Sequence, residues 1–96
     1  MTEQERREES IAQACDELRD LLIRKNRAYG PSAIKDAPGG PLNGLRVRIF
    51  DKHARLQNLA HDRSLGNGVP DEALEDTLLD LAGYGVIGVL AERDLW

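Results

Sequence analysis

The fold of this chain is decided by the stretch DEALEDTLLDLAGY at residues 71–84. Read as a helix, it places Glu72, Asp76 and Asp80 four residues apart, so that three carboxylates form one acidic stripe. Like charges at this spacing destabilise an isolated helix, and a chain tolerates them where the stripe faces water, meets cations or holds a metal ion. Residues 81–91 are apolar on every side, which is typical of a buried helix. The sequence therefore predicts carboxylates at the mouth of a helical core.

Composition indicates one small globular domain. The chain has 96 residues, of which 41% are hydrophobic and 31% are charged. We expect a polar arm or helix start at residues 1–10 and a single helical domain at 11–96. So short a chain has difficulty covering an apolar last helix from within, and this favours a homo-oligomer, either a dimer or a tetramer.

Charge and cysteine content exclude several classes of protein. The net charge of -4 argues against nucleic acid as the main partner. The single cysteine, Cys15, lies in an apolar helical pattern, which predicts a core thiol and excludes an internal disulfide. Without a signal peptide, the chain is expected to be cytoplasmic. The apolar run near residues 86–91 is too short to span a bilayer.

Hydrophobic periodicity predicts three helices and no strand. An amphipathic helix extends from Ile11 to about Ala28 and stops at Gly30-Pro31. Residues 31–44 contain three prolines and three glycines and are expected to form a long loop, with Asn43 as a cap for the next helix. Two further helices are predicted at about 45–61 and 71–93. The predicted fold class is all-α, an antiparallel bundle of about three main helices.

A basic face is predicted on the middle helix, where Arg48, Asp51, Lys52 and Arg55 follow helical spacing. If this face meets the acidic stripe, the charged side chains can be arranged in two ways. In one, Lys52 and Arg55 pair directly with Asp76 and Asp80. In the other, carboxylates hold Mg²⁺ while the cationic side chains hold phosphate oxygens. Solvated charged surfaces are the simpler reading of both faces.

Two other groups of residues are functional candidates. Lys25, Asn26 and Tyr29 lie at the end of the first helix, and Tyr29 either stacks on a base or fixes the loop to the core. His53 is expected on the inner side of the middle helix, as a core or interface histidine rather than a metal ligand.

The residues that carry a family resemblance are Lys25-Asn26-x-x-Tyr29-Gly30, Arg48-Ile49-x-Asp51-Lys52-x-x-Arg55-Leu56 and the block from Asp76 to Tyr84. This order resembles the nucleotide modification associated domain 1 family of phages and bacteria. It is also similar to a divergent form of the MazG-like all-α nucleoside triphosphate pyrophosphohydrolases. The resemblance covers roughly residues 18–90.

The resemblance implies that the chain handles nucleotides. MazG-like enzymes cleave a nucleoside triphosphate to the monophosphate and pyrophosphate with Mg²⁺. On that basis Glu72, Asp76 and Asp80 are the expected catalytic residues, and Asp51, Asp76 and Asp80 the expected metal ligands. Arg48, Lys52 and Arg55 are expected to bind phosphates, and Lys25, Asn26 and Tyr29 with the 31–44 loop to cover the base.

This chain departs from the family pattern at its metal motifs. Asp51 and Asp80 match acidic positions of the motifs, but Lys52 and Arg55 stand where two acids are expected, and Thr77 replaces a third. Exchanging acids for cations makes a Mg²⁺ cage at those two positions implausible. A non-catalytic helical dimer module, or an accessory subunit, with structural pairs between carboxylates and Lys or Arg is therefore the alternative.

Overall fold

The computed structural model describes all residues from Met1 to Trp96. It contains four α-helices and no strand: α1 (Glu3–Tyr29), α2 (Ser32–Lys35), α3 (Pro41–Ser64) and α4 (Asp71–Glu92). The all-α prediction is therefore confirmed. The chain divides into two compact units, Met1–Gly30 and Pro31–Trp96. Their boundary coincides with the Gly30-Pro31 stop that the sequence predicted.

The first unit is the single helix α1. It begins at Glu3 because the Thr2 hydroxyl caps it, accepting a hydrogen bond from the Glu5 backbone N–H at 3.1 Å. Of the two predictions for residues 1–10, the helix start is therefore the correct one. No residue of α1 is buried, and Cys15 is exposed, so the prediction of a core thiol was wrong.

The predicted loop at 31–44 is much shorter than expected. Its first part forms α2, and α3 already begins at Pro41, since proline at the first helical position needs no hydrogen-bond partner for its nitrogen. Gly40, at φ 91°, precedes the helix. Asn43 lies inside α3 rather than capping it, and its side-chain amide donates to the Pro38 carbonyl at 3.0 Å.

The second unit is built on an antiparallel pair of helices, α3 and α4. Lys52 contacts Asp80, and further along α3 Arg63 contacts Asp71, so residue numbers rise on one helix as they fall on the other. Leu45 is 3% exposed, and its Cδ1 lies 3.4 Å from where a Cβ on Gly88 would stand. The two helices are therefore close together around Leu45, where a Cβ at position 88 would make an ordinary van der Waals contact.

Helix α2 covers one side of this pair. Ile34 of α2 is buried, and a Cβ on Gly44 of α3 would lie 2.6 Å from the Ala37 Cβ. Ile87, on α4, completes the buried hydrophobic set. The core is thus small, with one buried hydrophobic residue from each of α2, α3 and α4. No helix of the structure has the length and apolar character needed to cross a membrane.

A polar seam between α3 and α4 as the candidate site

An ion pair joins the two helices at the middle of their contact. Lys52 Nζ lies 3.0 Å from Asp80 Oδ2, and the two side chains are 28% and 18% exposed. Partial burial strengthens such a pair relative to one on the open surface, because water screens it less. Of the two arrangements that the sequence left open, direct pairing is therefore the one formed by Lys52 and Asp80.

Thr77 forms the second polar link between the helices. Its side chain is 1% exposed, and its Oγ1 accepts a hydrogen bond from Arg55 Nε at 3.1 Å. The same hydroxyl donates to the Ala73 carbonyl one turn earlier in α4 at 2.8 Å. Both the lone pair and the proton of this buried hydroxyl are thus used, as a buried polar group requires. We call the contacts of Lys52–Asp80 and Arg55–Thr77 the polar seam.

The seam differs from the predicted network at one contact. In the direct-pairing alternative Arg55 contacts an aspartate of the acidic stripe, whereas in the structure it bonds to Thr77. Thr77 and Asp80 are three residues apart and therefore face α3 together, whereas Asp76 is turned by about a quarter of a helix and is exposed. Glu72, one turn before Asp76, is also exposed. The acidic stripe thus contributes only Asp80 to the seam.

Thr77 has only a weak signal in the sequence. There it stands out only as a departure from an acidic position, yet it is the most deeply buried polar residue of the chain. A lone threonine in an otherwise leucine-rich and acidic helix segment does not distinguish a buried hydroxyl from an exposed one. The signal that could have identified it is its position three residues before Asp80, opposite Arg55.

Cationic side chains remain accessible beside the seam. The bond to Thr77 uses Nε of Arg55, so its two terminal guanidinium nitrogens are able to donate to an anion. Arg55 and Arg48 are both exposed and lie seven residues apart, two turns along the same side of α3, with Lys52 between them. The predicted phosphate-binding residues are therefore grouped on one helix face.

The predicted magnesium ligands are not assembled as a group. No cluster of three or more His, Cys, Asp or Glu side chains in the structure could hold a metal ion. Asp51 and Asp76 are exposed on different helices, and Asp80 is paired with Lys52. Because an ammonium group already neutralises Asp80, this donor set does not fit a protein-held Mg²⁺.

The other residues that the sequence suggested as functional candidates do not belong to the polar seam. Lys25, Asn26 and Tyr29 belong to the last turns of α1, where the Asn26 carbonyl accepts from the Gly30 N–H and the Tyr29 side chain is exposed. Their expected role in covering a base stays a prediction. His53 is exposed on α3, so the reading of it as a histidine of this chain's own core was wrong.

Comparisons with protein-family models, with curated proteins and with solved structures found no match for this chain.

Proposed function

We propose that this chain is a nucleotide-handling protein that binds the phosphates of a nucleoside triphosphate beside the polar seam. The observation that carries the proposal is the anchoring of Arg55 by Thr77, with Arg48 and Lys52 on the same face of α3. A guanidinium held at one nitrogen keeps a fixed orientation, so it loses less entropy when its other nitrogens bind phosphate. The resemblance to nucleotide modification associated domain 1 proteins and MazG-like pyrophosphohydrolases supports the same ligand class.

The proposal concerns binding first and hydrolysis second. Release of pyrophosphate would need a water activated near the α-phosphate, and Glu72 is the exposed carboxylate on α4 that would orient this water. Mg²⁺ commonly enters such sites on the nucleotide phosphates and keeps several of its waters. Binding through Arg48, Lys52 and Arg55 therefore does not depend on a metal cage built by the protein.

Calorimetric titration with dNTPs and NTPs, with and without Mg²⁺, tests this proposal, and a pyrophosphate assay of the same mixtures tests turnover. We expect saturable binding that Arg55→Ala weakens by roughly tenfold, the effect of losing one charge-assisted contact of about 1.4 kcal/mol. Arg46→Ala is the matched control, because Arg46 is exposed on the same helix but bonds to Asn43, on another side. Absence of binding to any nucleotide would refute the proposal.

The second candidate is a non-catalytic helical module, in which the polar seam serves only to fix the register of α3 and α4. The closed Lys52–Asp80 pair favours it, since partly buried pairs specify how helices align. This candidate fits an accessory subunit, and it needs no nucleotide.

A double-mutant cycle on the pair measures its structural role. Lys52→Met and Asp80→Asn are each expected to lower the free energy of unfolding by about 1–2 kcal/mol, because each leaves a partly buried charge without its partner. The double variant should recover part of that loss. Asp71→Asn is the control, because its pair with Arg63 is largely exposed and should contribute below about 0.5 kcal/mol. Urea unfolding that shows no coupling would contradict the structural role.

A further inference from the structure

Asparagine is followed directly by glycine at two places in this chain, Asn43-Gly44 and Asn67-Gly68. This dipeptide is chemically reactive, because glycine has no side chain to keep its backbone nitrogen away from the amide carbon of the asparagine. The nitrogen can therefore attack that carbon and close a ring. Whether the attack takes place depends on the local backbone, and the two dipeptides lie in different structures.

The Asn43-Gly44 dipeptide is held in the first turn of α3. The Gly44 N–H donates to the Gly40 carbonyl at 3.1 Å, and Gly44 is buried. The Asn43 side chain is fixed at both of its polar atoms: Nδ2 donates to the Pro38 carbonyl at 3.0 Å, and Oδ1 accepts from Arg46 Nη2 at 3.0 Å. Attack within this turn would first require α3 to open locally.

The Asn67-Gly68 dipeptide lies between α3 and α4, outside any helix. Both residues are exposed, and a Cβ at Gly68 would meet nothing within 4 Å. The backbone N–H of Asn67 donates to the Asp62 carbonyl at 3.0 Å, whereas neither the Asn67 side chain nor the Gly68 N–H makes a hydrogen bond within the chain. The two reacting groups are therefore free to meet while α3 and α4 stay folded.

We propose that Asn67 is a site of spontaneous deamidation, with water as the only co-reactant, and that the fold protects Asn43 from the same reaction. The Gly68 nitrogen forms a bond to Asn67 Cγ, the Cγ–Nδ2 bond breaks, and Nδ2 leaves as ammonia with the proton of the Gly68 nitrogen. The product of this step is a cyclic imide. Water then opens the ring, giving its hydroxyl group to a carbonyl carbon and its proton to the nitrogen.

Ring opening gives two products, and both change the connection between α3 and α4. Breaking the bond at Cγ leaves aspartate in a normal backbone, whereas breaking the bond at the backbone carbonyl carbon leaves isoaspartate, whose extra methylene group lengthens the connection. Either product adds one negative charge to the chain's net charge of -4. Nucleotide binding is not required for this reaction, because neither Asn67 nor Gly68 belongs to the polar seam.

Incubation of the folded full chain in mildly alkaline buffer, followed by tryptic peptide mapping with mass spectrometry, tests the proposal. Cleavage after Lys and Arg places Asn43 in the peptide 36–46 and Asn67 in the peptide 64–93. Deamidation raises the mass of a peptide by about 1 Da. We expect this increase at least about tenfold faster in 64–93 than in 36–46, because reaction at Asn43 waits for local opening of α3. The aspartate and isoaspartate forms of 64–93 should separate by chromatography.

The same chain unfolded in guanidinium chloride is the first control, because unfolding removes the protection by α3 and leaves the two dipeptides unchanged. The rates at Asn43 and Asn67 should then agree within about threefold. A tenfold difference that persists in the unfolded chain would assign it to the neighbouring residues in the sequence, and would overturn the protective role of α3.

Gly68→Ala is the second control. The structure has room for the added methyl group, which should slow the reaction of Asn67 by about tenfold or more because it hinders the approach of the backbone nitrogen. Equal rates at Asn43 and Asn67 in the folded chain would overturn the proposal, as would an Asn67 rate that Gly68→Ala leaves unchanged.

Discussion

Helices α1 and α4 are similar in length, yet they are stabilised in different ways. Helix α1 has 27 residues and buries none of them, whereas α4 has 22 residues and buries Thr77, Gly83 and Ile87. Helix α1 is held by local contacts: the Thr2 cap, the Gln4–Glu8 hydrogen bond and the Arg19 pairs with Asp16 and Asp20. Such contacts each contribute a few tenths to about 1 kcal/mol.

Helix α4 has no side-chain cap of this kind at its N-terminus. Its N-cap is Pro70, which provides no side-chain hydrogen bond, and its interior contains Gly83, Gly85 and Gly88. Each interior glycine costs about 1 kcal/mol relative to alanine. Helix α4 therefore depends on packing against α3 and on the seam at Thr77, while α1 depends on its own sequence. The two helices should therefore respond to different kinds of substitution.

The largest effect is expected at Leu45, whose packing supports α4. Leu45→Ala should lower the free energy of unfolding by about 2–4 kcal/mol, because it leaves a cavity at the α3–α4 contact. Ile11→Ala in α1 is the control, and it should change stability by less than about 0.5 kcal/mol because Ile11 is exposed. Urea unfolding followed by circular dichroism measures both. Equal losses would show that α1 carries as much packing as α3.

Replacing glycine with alanine should change stability by an intermediate amount, with opposite signs at Gly44 and Gly85. Gly44→Ala places a Cβ 2.6 Å from the Ala37 Cβ and should destabilise the unit by about 1–3 kcal/mol, since the segment at Ala37, directly after α2, must shift. Gly85→Ala meets nothing within 4 Å and should stabilise α4 by about 0.5–1 kcal/mol through helix propensity. Thermal melting compares the two. A Gly44→Ala protein as stable as the unaltered chain would mean that α2 is not packed at this contact.

The smallest effect is expected from the α1 cap. Thr2→Ala removes the hydroxyl that accepts from Glu5 and should weaken the first turn by about 1 kcal/mol. Hydrogen exchange should then be faster at the start of α1 and unchanged in α3 and α4, because the local helix is not supported by buried contacts. Faster exchange in α4 would disprove the separation between locally held and packed helices.

The polar seam shows how far sequence reasoning reached at the candidate site. Spacing on α3 and on α4 identified a basic face and an acidic stripe but left open whether they meet, and the Lys52–Asp80 pair shows that they do at one point. Spacing alone did not select Thr77 over Asp76 as the partner of Arg55. That choice depends on which side of α4 turns toward α3, and rotation about a helix axis is set by packing rather than by local sequence.

The sequence by itself determined the helical class, the break at Gly30-Pro31 and the helical content of the chain after residue 71, because apolar periodicity, glycine and proline act locally. Only the tertiary structure decided that α3 starts at Pro41, that Cys15 and His53 are exposed and that Thr77 is buried. The burial of Thr77 depends on contacts between residues far apart in the chain, such as the hydrogen bond of Arg55 with Thr77 and the neighbouring pair of Lys52 with Asp80. The physical reason is that local propensity fixes the backbone of a helix, whereas burial is decided by what packs against each of its sides.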